Sequence, residues 1–184
     1  MTWLILGLLL WTGAHLFKRV LPGPRAALGN AGRGLVAVLI LIGVGLMIVG
    51  YQKTETDAIY ALPVWAWHLN NGLMLVAIYL MDAGRARGVV AAKLRHLMLT
   101  GVVVFAAAHL LVNGDWPSVV LFGGLGLWAL IEMAVINRAE GPWDPPQPGP
   151  VARDVKVAAI AVVVYAAIVG IHYWLDRSVI ALLW

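Results

Sequence analysis

The chain contains no cysteine and little charge. Of its 184 residues, charged side chains make up 12% and hydrophobic ones 62%, whereas a soluble domain has about 25% charged residues. Without cysteine, the chain cannot use thiolate catalysis, disulfides, iron–sulfur clusters or thiolate-ligated heme. With so few charges it cannot cover a water-facing surface, and this excludes a soluble enzyme, a disordered protein and a disulfide scaffold.

Six apolar runs occupy most of the sequence. A single segment in lipid can satisfy its own backbone hydrogen bonds only as a helix, and a helix needs about 20 residues to cross the hydrocarbon core. The runs therefore predict an all-α, polytopic membrane helix bundle with six transmembrane helices, forming a single transmembrane domain over residues 1–184. The approximate limits of the runs are 1–17, 34–51, 59–81, 97–112, 117–136 and 156–175.

Lysine and arginine are concentrated in alternate loops between these runs. The first, third and fifth loops hold 11 of the 13 basic residues, and basic loops stay on the cytoplasmic side of a membrane. This distribution predicts that both termini lie on the outer side, and it accounts for the net charge of +4 without a nucleic-acid partner. The loop residues concerned are Lys18, Arg19, Arg25, Arg33, Arg85, Arg87, Lys93, Arg95, Arg138, Arg153 and Lys156.

Tryptophan and proline add two further indications. Tryptophans near the predicted outer ends of the spans form an aromatic belt at that interface. The fifth loop, about 138–155, is rich in proline, and we interpret it as a semi-rigid cytoplasmic spacer, with partner binding as the alternative. The belt consists of Trp3, Trp65, Trp67, Trp116, Trp174 and Trp184.

Strongly polar residues inside the apolar runs are costly, so each is a candidate functional residue. Neutral imidazole is a common metal ligand and an axial ligand of heme iron, and four histidines in one bundle therefore indicate a metal or heme site. The alternative is that each histidine bonds to a neighbouring helix. The candidates are His15, His68, His109, His172, Asn70, Asn71 and Glu132.

The depth of these residues follows from the helical rise of about 1.5 Å per residue. It places His68, His109 and His172 in the outer half of the membrane and His15 about 14 Å deeper than His109. On this estimate His109 would pair more easily with His172 or His68 than with His15.

The other polar residues have structural interpretations beside the functional ones. Asn70 and Asn71 are expected to hydrogen-bond between helices, with contact to a substrate as the alternative. Glu132, near the cytoplasmic interface, is expected either to pair with Arg138 or another loop cation or to act in the core. Tyr165 shares a helical face with His172 and is expected to bond to a ligand or to a neighbour.

Residues 113–117 predict a tight turn between two spans. Asp115 precedes Trp116 and Pro117, so we expect its carboxylate to cap the next helix, with the proline in the first turn. A site role is the alternative for Asn113 and Asp115, because His109 is one helical turn before Asn113.

Three segments resemble NnrU family proteins, and this family is itself similar to the 15-cis-zeta-carotene isomerase of plants and cyanobacteria, a membrane enzyme that contains heme b. The resemblance runs across nearly the whole chain, and its central segment is the most specific. The segments are residues 4–51 with Gly13-Ala14-His15-Leu16, residues 95–123 with Ala108-His109-Leu110-Leu111-Val112-Asn113-Gly114-Asp115, and Gly170-Ile171-His172-Tyr173-Trp174-Leu175.

The resemblance implies a multi-pass protein of the bacterial inner membrane, and with the basic loops this puts both termini in the periplasm. It also implies a heme b site whose iron is bound by His15 and His109, whereas the depth estimate leaves His68 and His172 as the rival ligands. Ala106 stands where the isomerase has a cysteine proposed as an alternative ligand, so a histidine-to-cysteine switch is excluded here.

Three functions are compatible with this resemblance. The first is a redox, sensing or maturation factor of nitrite and nitric oxide metabolism, working with membrane redox or denitrification proteins and with nitric oxide as a ligand. The second is a heme-dependent isomerase of an apolar polyene such as a carotenoid. The third is a non-heme transporter or assembly factor. The sequence leaves open whether the protein is an enzyme.

Overall fold

A computed structural model gives the structure of residues 1–175. Within this range the chain is helical apart from its loops, with one isolated antiparallel bridge between Ala58 and Asp115. The predicted belt residue Trp184 lies outside the described residues. The helices are α1 (Thr2–Val20), α2 (Pro22–Ala27), α3 (Ala31–Gln52), α4 (Trp65–Ala86), α5 (Leu97–Val112), α6 (Trp116–Glu140) and α7 (Val151–Trp174), with a 3-10 turn at Val90–Ala92.

The long helices pack side by side in an order that differs from their order in the chain. Helix α1 lies between α3 and α6, α5 lies between α6 and α4, and α4 also packs against α7. Small buried clusters hold these pairs together. One centres on Leu4 and Met47 between α1 and α3, another on Trp128 and Leu99 between α6 and α5, and a third joins α4, α5 and the start of α7.

Helices α1 and α3 approach closely because glycines lie where they cross. A methyl group at Gly7 would come within 2.7 Å of the carbonyl oxygen of Gly43. A methyl group at Gly50 would fall on the backbone nitrogen of Leu4. Small residues at such crossings let backbones pack directly, as is usual for helices in lipid.

Helix α4 begins at Trp65, later than the apolar run 59–81 predicts. The backbone N–H of Ile59 instead donates to the carbonyl of Gly114 at 2.6 Å. The hydroxyl of Tyr60 donates to the carbonyl of Leu110 at 2.5 Å. Residues 59–64 are therefore a loop held on the α5–α6 turn, and His68 lies in the first turn of α4. The predicted start of this helix at residue 59 is wrong.

The proline-rich loop is shorter than predicted, because α6 continues to Glu140 and α7 begins at Val151. Both ends of the connecting segment 141–150 are held. Arg95 donates to the carbonyl of Gly141 at 2.6 Å, and the N–H of Gly149 donates to the carbonyl of Gly88 at 3.3 Å. The segment thus crosses the end of the bundle where α4 and α6 end and α5 and α7 begin.

The outward surfaces of the helices are apolar. Large side chains such as Leu9, Leu41 and Val163 are exposed, as expected for contact with lipid rather than water. Of the helices within residues 1–175, α3, α6 and α7 are long and apolar enough to cross a membrane, and α5 is a shorter apolar helix. These features indicate a membrane protein, and the count of six spans stays a prediction.

Candidate functional site

Three of the candidate histidines share one hydrogen-bonding arrangement. The Nδ1 atoms of His15, His109 and His172 lie 2.9, 3.0 and 2.9 Å from the carbonyl oxygen four residues earlier in the same helix. A carbonyl oxygen can only accept, so Nδ1 carries the proton in each ring. In the neutral ring, Nε2 then has a free lone pair. Nε2 of this tautomer can therefore bind a metal.

His109 packs against two phenylalanine rings that lie beside each other, with their centroids 5.6 Å apart. Its ring centroid is 4.2 Å from that of Phe105 on α5, which is tilted by 48°, and 4.3 Å from that of Phe122 on α6, whose plane is nearly parallel at 26°. A metal binds imidazole in the plane of the ring, whereas Phe122 stacks on one face. The packing around His109 therefore fixes the orientation of the ring without using Nε2.

His15 lies against two tryptophans at a different level of the bundle. Its ring is 4.3 Å from Trp11 and 4.7 Å from Trp128, measured between centroids. Trp128 and Phe122, which mark the levels of His15 and His109 on α6, are six residues apart, or about 9 Å along the helix axis.

The two rival histidines differ in their surroundings. His172 is partly buried on α7. His68 is exposed in the first turn of α4. The structure therefore gives His172 the more shielded position of the two.

The asparagine pair does not bridge helices as predicted. Asn70 is buried, and its amide nitrogen donates to the side-chain oxygen of its neighbour Asn71 at 3.2 Å. The side-chain oxygen of Asn70 is buried without a hydrogen-bond partner among residues 1–175. On α7, Tyr165 is partly buried seven residues before His172.

The turn before α6 confirms the capping role predicted for Asp115. One carboxylate oxygen accepts from the backbone N–H of Ser118 at 2.8 Å, and the other lies 3.0 Å from the Ser118 hydroxyl. That hydroxyl is 2.9 Å from the Tyr51 hydroxyl. The side chain of Asn113 donates to the carbonyl of His109 at 2.9 Å and so connects the turn to the end of α5.

Glu132 is buried and pairs with Arg19, a cation in the last turn of α1. Its Oε1 lies 3.4 Å from Nε of Arg19, and the same guanidinium contacts Glu140 at 3.1 Å. The expected partner was Arg138 or another loop cation, and the structure assigns Arg19. Because α1 packs against α6 at this level, a residue distant in sequence supplies the charge.

A comparison with protein families matches residues 3–178 to the model described as NnrU protein. The chain belongs to the NnrU family. No curated protein and no solved structure matches it. The family resemblance proposed from the sequence segments is thereby confirmed over nearly the whole chain.

Two features of this NnrU-family chain bear on the kind of metal site it can form. Within residues 1–175, no group of three or more histidines and carboxylates is arranged to hold a metal ion. A site with three or four protein ligands, as for zinc, is thus absent from that part of the chain. Heme supplies four ligands of its own and needs only one or two imidazoles, and the tethered histidines fit that requirement.

Several residues around the histidines were not identified from the sequence. Trp11 and Trp128 contact His15, and Tyr51 with Ser118 extends the Asp115 cap into the bundle. Spacing provides a signal for two of them, because Trp11 is four residues before His15 and Trp128 four before Glu132, which places each pair on one helical face. The spacing of residues along the sequence does not show that Trp11 and Trp128 contact each other across α1 and α6.

Proposed function

We propose that this NnrU protein binds heme b in the bacterial inner membrane and acts in nitrite and nitric oxide metabolism as a redox, sensing or maturation factor. One observation supports the heme proposal most directly. His15, His109 and His172 each donate from Nδ1 to a helix carbonyl, so each presents Nε2 as a ready ligand. A backbone acceptor at the other nitrogen also raises the basicity of a ligating imidazole.

His15 and His109 would hold the iron. They lie on α1 and α5, the two helices that flank α6. The rival pair is His109 with His172, which is supported by the partial burial of His172 and by its tethered Nδ1. His68 is the weaker rival because it is exposed at the start of its helix.

When bound, heme would supply one-electron transfer and, if only one of the two histidines held the iron, an affinity for nitric oxide. The chain's own residues would orient the ligands. Phe122 stacks on one face of His109 and Phe105 packs against the ring at a tilt, while Trp11 and Trp128 both contact His15. Such rings keep the imidazoles in fixed rotamers in an apolar environment.

The test is an absorption spectrum of the detergent-purified full chain, oxidised and reduced, after expression with heme supply. We expect a Soret band that shifts on reduction, at about one heme per chain. His15→Ala and His109→Ala should each lower the heme content or change the spectrum of the reduced form, while His68→Ala should do neither. Full heme and an unchanged spectrum in both variants would contradict this ligand pair.

Addition of ligands then separates the functions. A spectral shift with nitric oxide, and none with a carotenoid, supports a role in nitrogen oxide metabolism. Turnover of a cis-polyene would instead favour the isomerase. Protein without heme, although folded, would favour a transporter or assembly factor.

We also propose six membrane spans with both termini in the periplasm, on the basis of the basic loops. The chain has no cysteine, so single cysteines can report the side of each loop. A membrane-impermeant maleimide should label Asp57→Cys in intact cells and Trp143→Cys only after lysis. The reverse pattern would invert the topology.

A further inference from the structure

A polar seam runs between α1 and α6 in the half of the bundle that contains the basic loops. On α1, Trp11, His15 and Arg19 follow one another at intervals of four residues and share one face. Opposite them on α6 lie Trp128 and Glu132, also four residues apart. The contacts across the seam are the Trp11–Trp128 pair, with ring centroids 5.3 Å apart, and the Arg19–Glu132 ion pair.

Three buried polar atoms in this seam have no hydrogen-bond partner among residues 1–175. They are the indole nitrogens of Trp11 and Trp128 and the Oε2 atom of Glu132. Trp128 is only 5% exposed and Glu132 only 8%. A buried polar group without a partner is costly, so three of them on one pair of helices require an explanation.

The chemistry of the three atoms specifies what can lie between them. An indole N–H can only donate, and an ionised carboxylate oxygen can only accept. An anion would suit the indoles but would meet the charge of Glu132. A metal cation would suit Glu132 but would meet two N–H groups and the guanidinium of Arg19. A water molecule accepts from N–H groups and donates to a carboxylate, and internal water commonly makes 2–4 such bonds.

We propose that Trp11, Trp128 and Glu132 form a binding site for one or two ordered water molecules, which we call the indole–carboxylate site. Glu132 is eight residues before Glu140, the exposed end of α6, or about 12 Å along the helix. Arg19 connects the two glutamates and marks a polar route by which solvent reaches the site. The water lies beside His15, whose ring packs on both indoles.

Solid-state NMR of the full chain in phosphatidylcholine bilayers tests the site. With tryptophan labelled by 15N at the indole nitrogen, magnetisation is transferred from water to nearby N–H groups. Trp11→Phe and Trp128→Phe assign the two resonances, and the exposed Trp143 is the positive control. We expect transfer to both buried indoles. Transfer to Trp143 but to neither buried indole would overturn the proposal.

The carboxylate gives a second readout that does not depend on tryptophan variants. The chain has three glutamates, at positions 55, 132 and 140, so 13C-carboxyl labelling gives few signals, and Glu132→Gln assigns the buried one. We expect a water contact at Glu132. Absence of magnetisation transfer from water to the Glu132 carboxylate would overturn the proposal even if the tryptophan variants failed to fold.

Two variants of Glu132 then test the arrangement. Glu132→Leu removes the acceptor and should lower water transfer to Trp128 at least about twofold, whereas Glu132→Gln retains an acceptor and should preserve it. Equal transfer in both variants would contradict the site. These measurements need no heme, so a heme-free protein with a hydrated seam would contradict the proposed function and leave this inference standing.

Discussion

Arg19 of α1 contacts two carboxylates of α6 at once, Glu132 at 3.4 Å and Glu140 at 3.1 Å. The two carboxylates differ in surroundings, because the side chain of Glu132 is 11% exposed and that of Glu140 is 53% exposed. This contrast provides a matched pair of variants.

Glu132→Gln should destabilise the protein more than Glu140→Gln. The first removes a buried charge from a pair and leaves Arg19 with one partner, at an expected cost of about 1–2 kcal/mol. The second removes an exposed charge that contacts Arg19 and Arg95, and because water screens exposed pairs the loss should be smaller. Thermal unfolding in detergent, followed by circular dichroism, measures both. Equal midpoints would contradict a structural role for the buried pair.

Gly50→Ala should loosen the packing of α1 on α3. The added methyl group would fall on the backbone of Leu4, which can move only if the helices separate, and we expect a loss of about 1–3 kcal/mol. Gly45→Ala is the control on the same helix, because nothing lies within 4 Å of its added methyl group. Alanine also favours a helix over glycine, so this control should be neutral or slightly stabilising. A similar loss in both variants would show that the effect is not packing.

Asp115→Ala should weaken the start of α6. It removes the acceptor of the Ser118 backbone N–H and the contact with the Ser118 hydroxyl, and loss of such a cap costs about 1 kcal/mol. Asp115→Asn retains a capping oxygen and should lose less. The thermal midpoint distinguishes them, with Asp144→Ala in the exposed segment 141–150 as the neutral control.

The stability of the protein should fall at alkaline pH in a manner that depends on Tyr60. Burial raises the pKa of Tyr60 above its ordinary value of 10.0, and the negative charge of Asp115 raises it further. The folded protein thus holds this proton more tightly than the unfolded chain. The contribution of protonated Tyr60 to the free energy of unfolding is complete below pH 10.0. It is lost as the pH rises through the higher pKa of the folded state.

Tyr60→Phe tests this dependence, because phenylalanine has no proton to lose. The decline of the thermal midpoint above pH 10 should be shallower in the variant than in the wild type. An identical decline would assign the alkaline sensitivity to other groups.

His172→Ala distinguishes the two ligand pairs proposed for heme. If His15 and His109 hold the iron, this variant should retain its heme and its reduced spectrum. If His109 pairs with His172, it should lose one axial ligand and resemble His109→Ala. Heme content and the position of the Soret band report the outcome, with His68→Ala as the control for loss of an exposed imidazole.

Much of the fold follows from composition and periodicity. Long apolar runs must form helices in lipid, and the predicted runs coincide with the long helices apart from their ends. The start of α4 was misplaced because residues 59–64 are as apolar as the helix that follows. What holds them in a loop is pairing with Gly114 and Leu110, which hydropathy does not register.

The candidate site was predicted in part. The tether from Nδ1 to the carbonyl four residues earlier is a local property of a helical histidine, so the availability of Nε2 at His15, His109 and His172 follows from their place inside helices. The ion-pair partner of Glu132 could not be predicted from local sequence, because several basic residues of the predicted loops were equally possible partners.

The sequence by itself determined the class of the protein, its helices and its NnrU membership, because these depend on composition, local backbone bonding and motif. The tertiary structure decided which side chains meet. It placed α1 against both α3 and α6, so that Trp11 meets Trp128, and Arg19 meets Glu132. Such contacts depend on the packing of helices far apart in the chain, and hydrophobic periodicity specifies a buried face without specifying its neighbour.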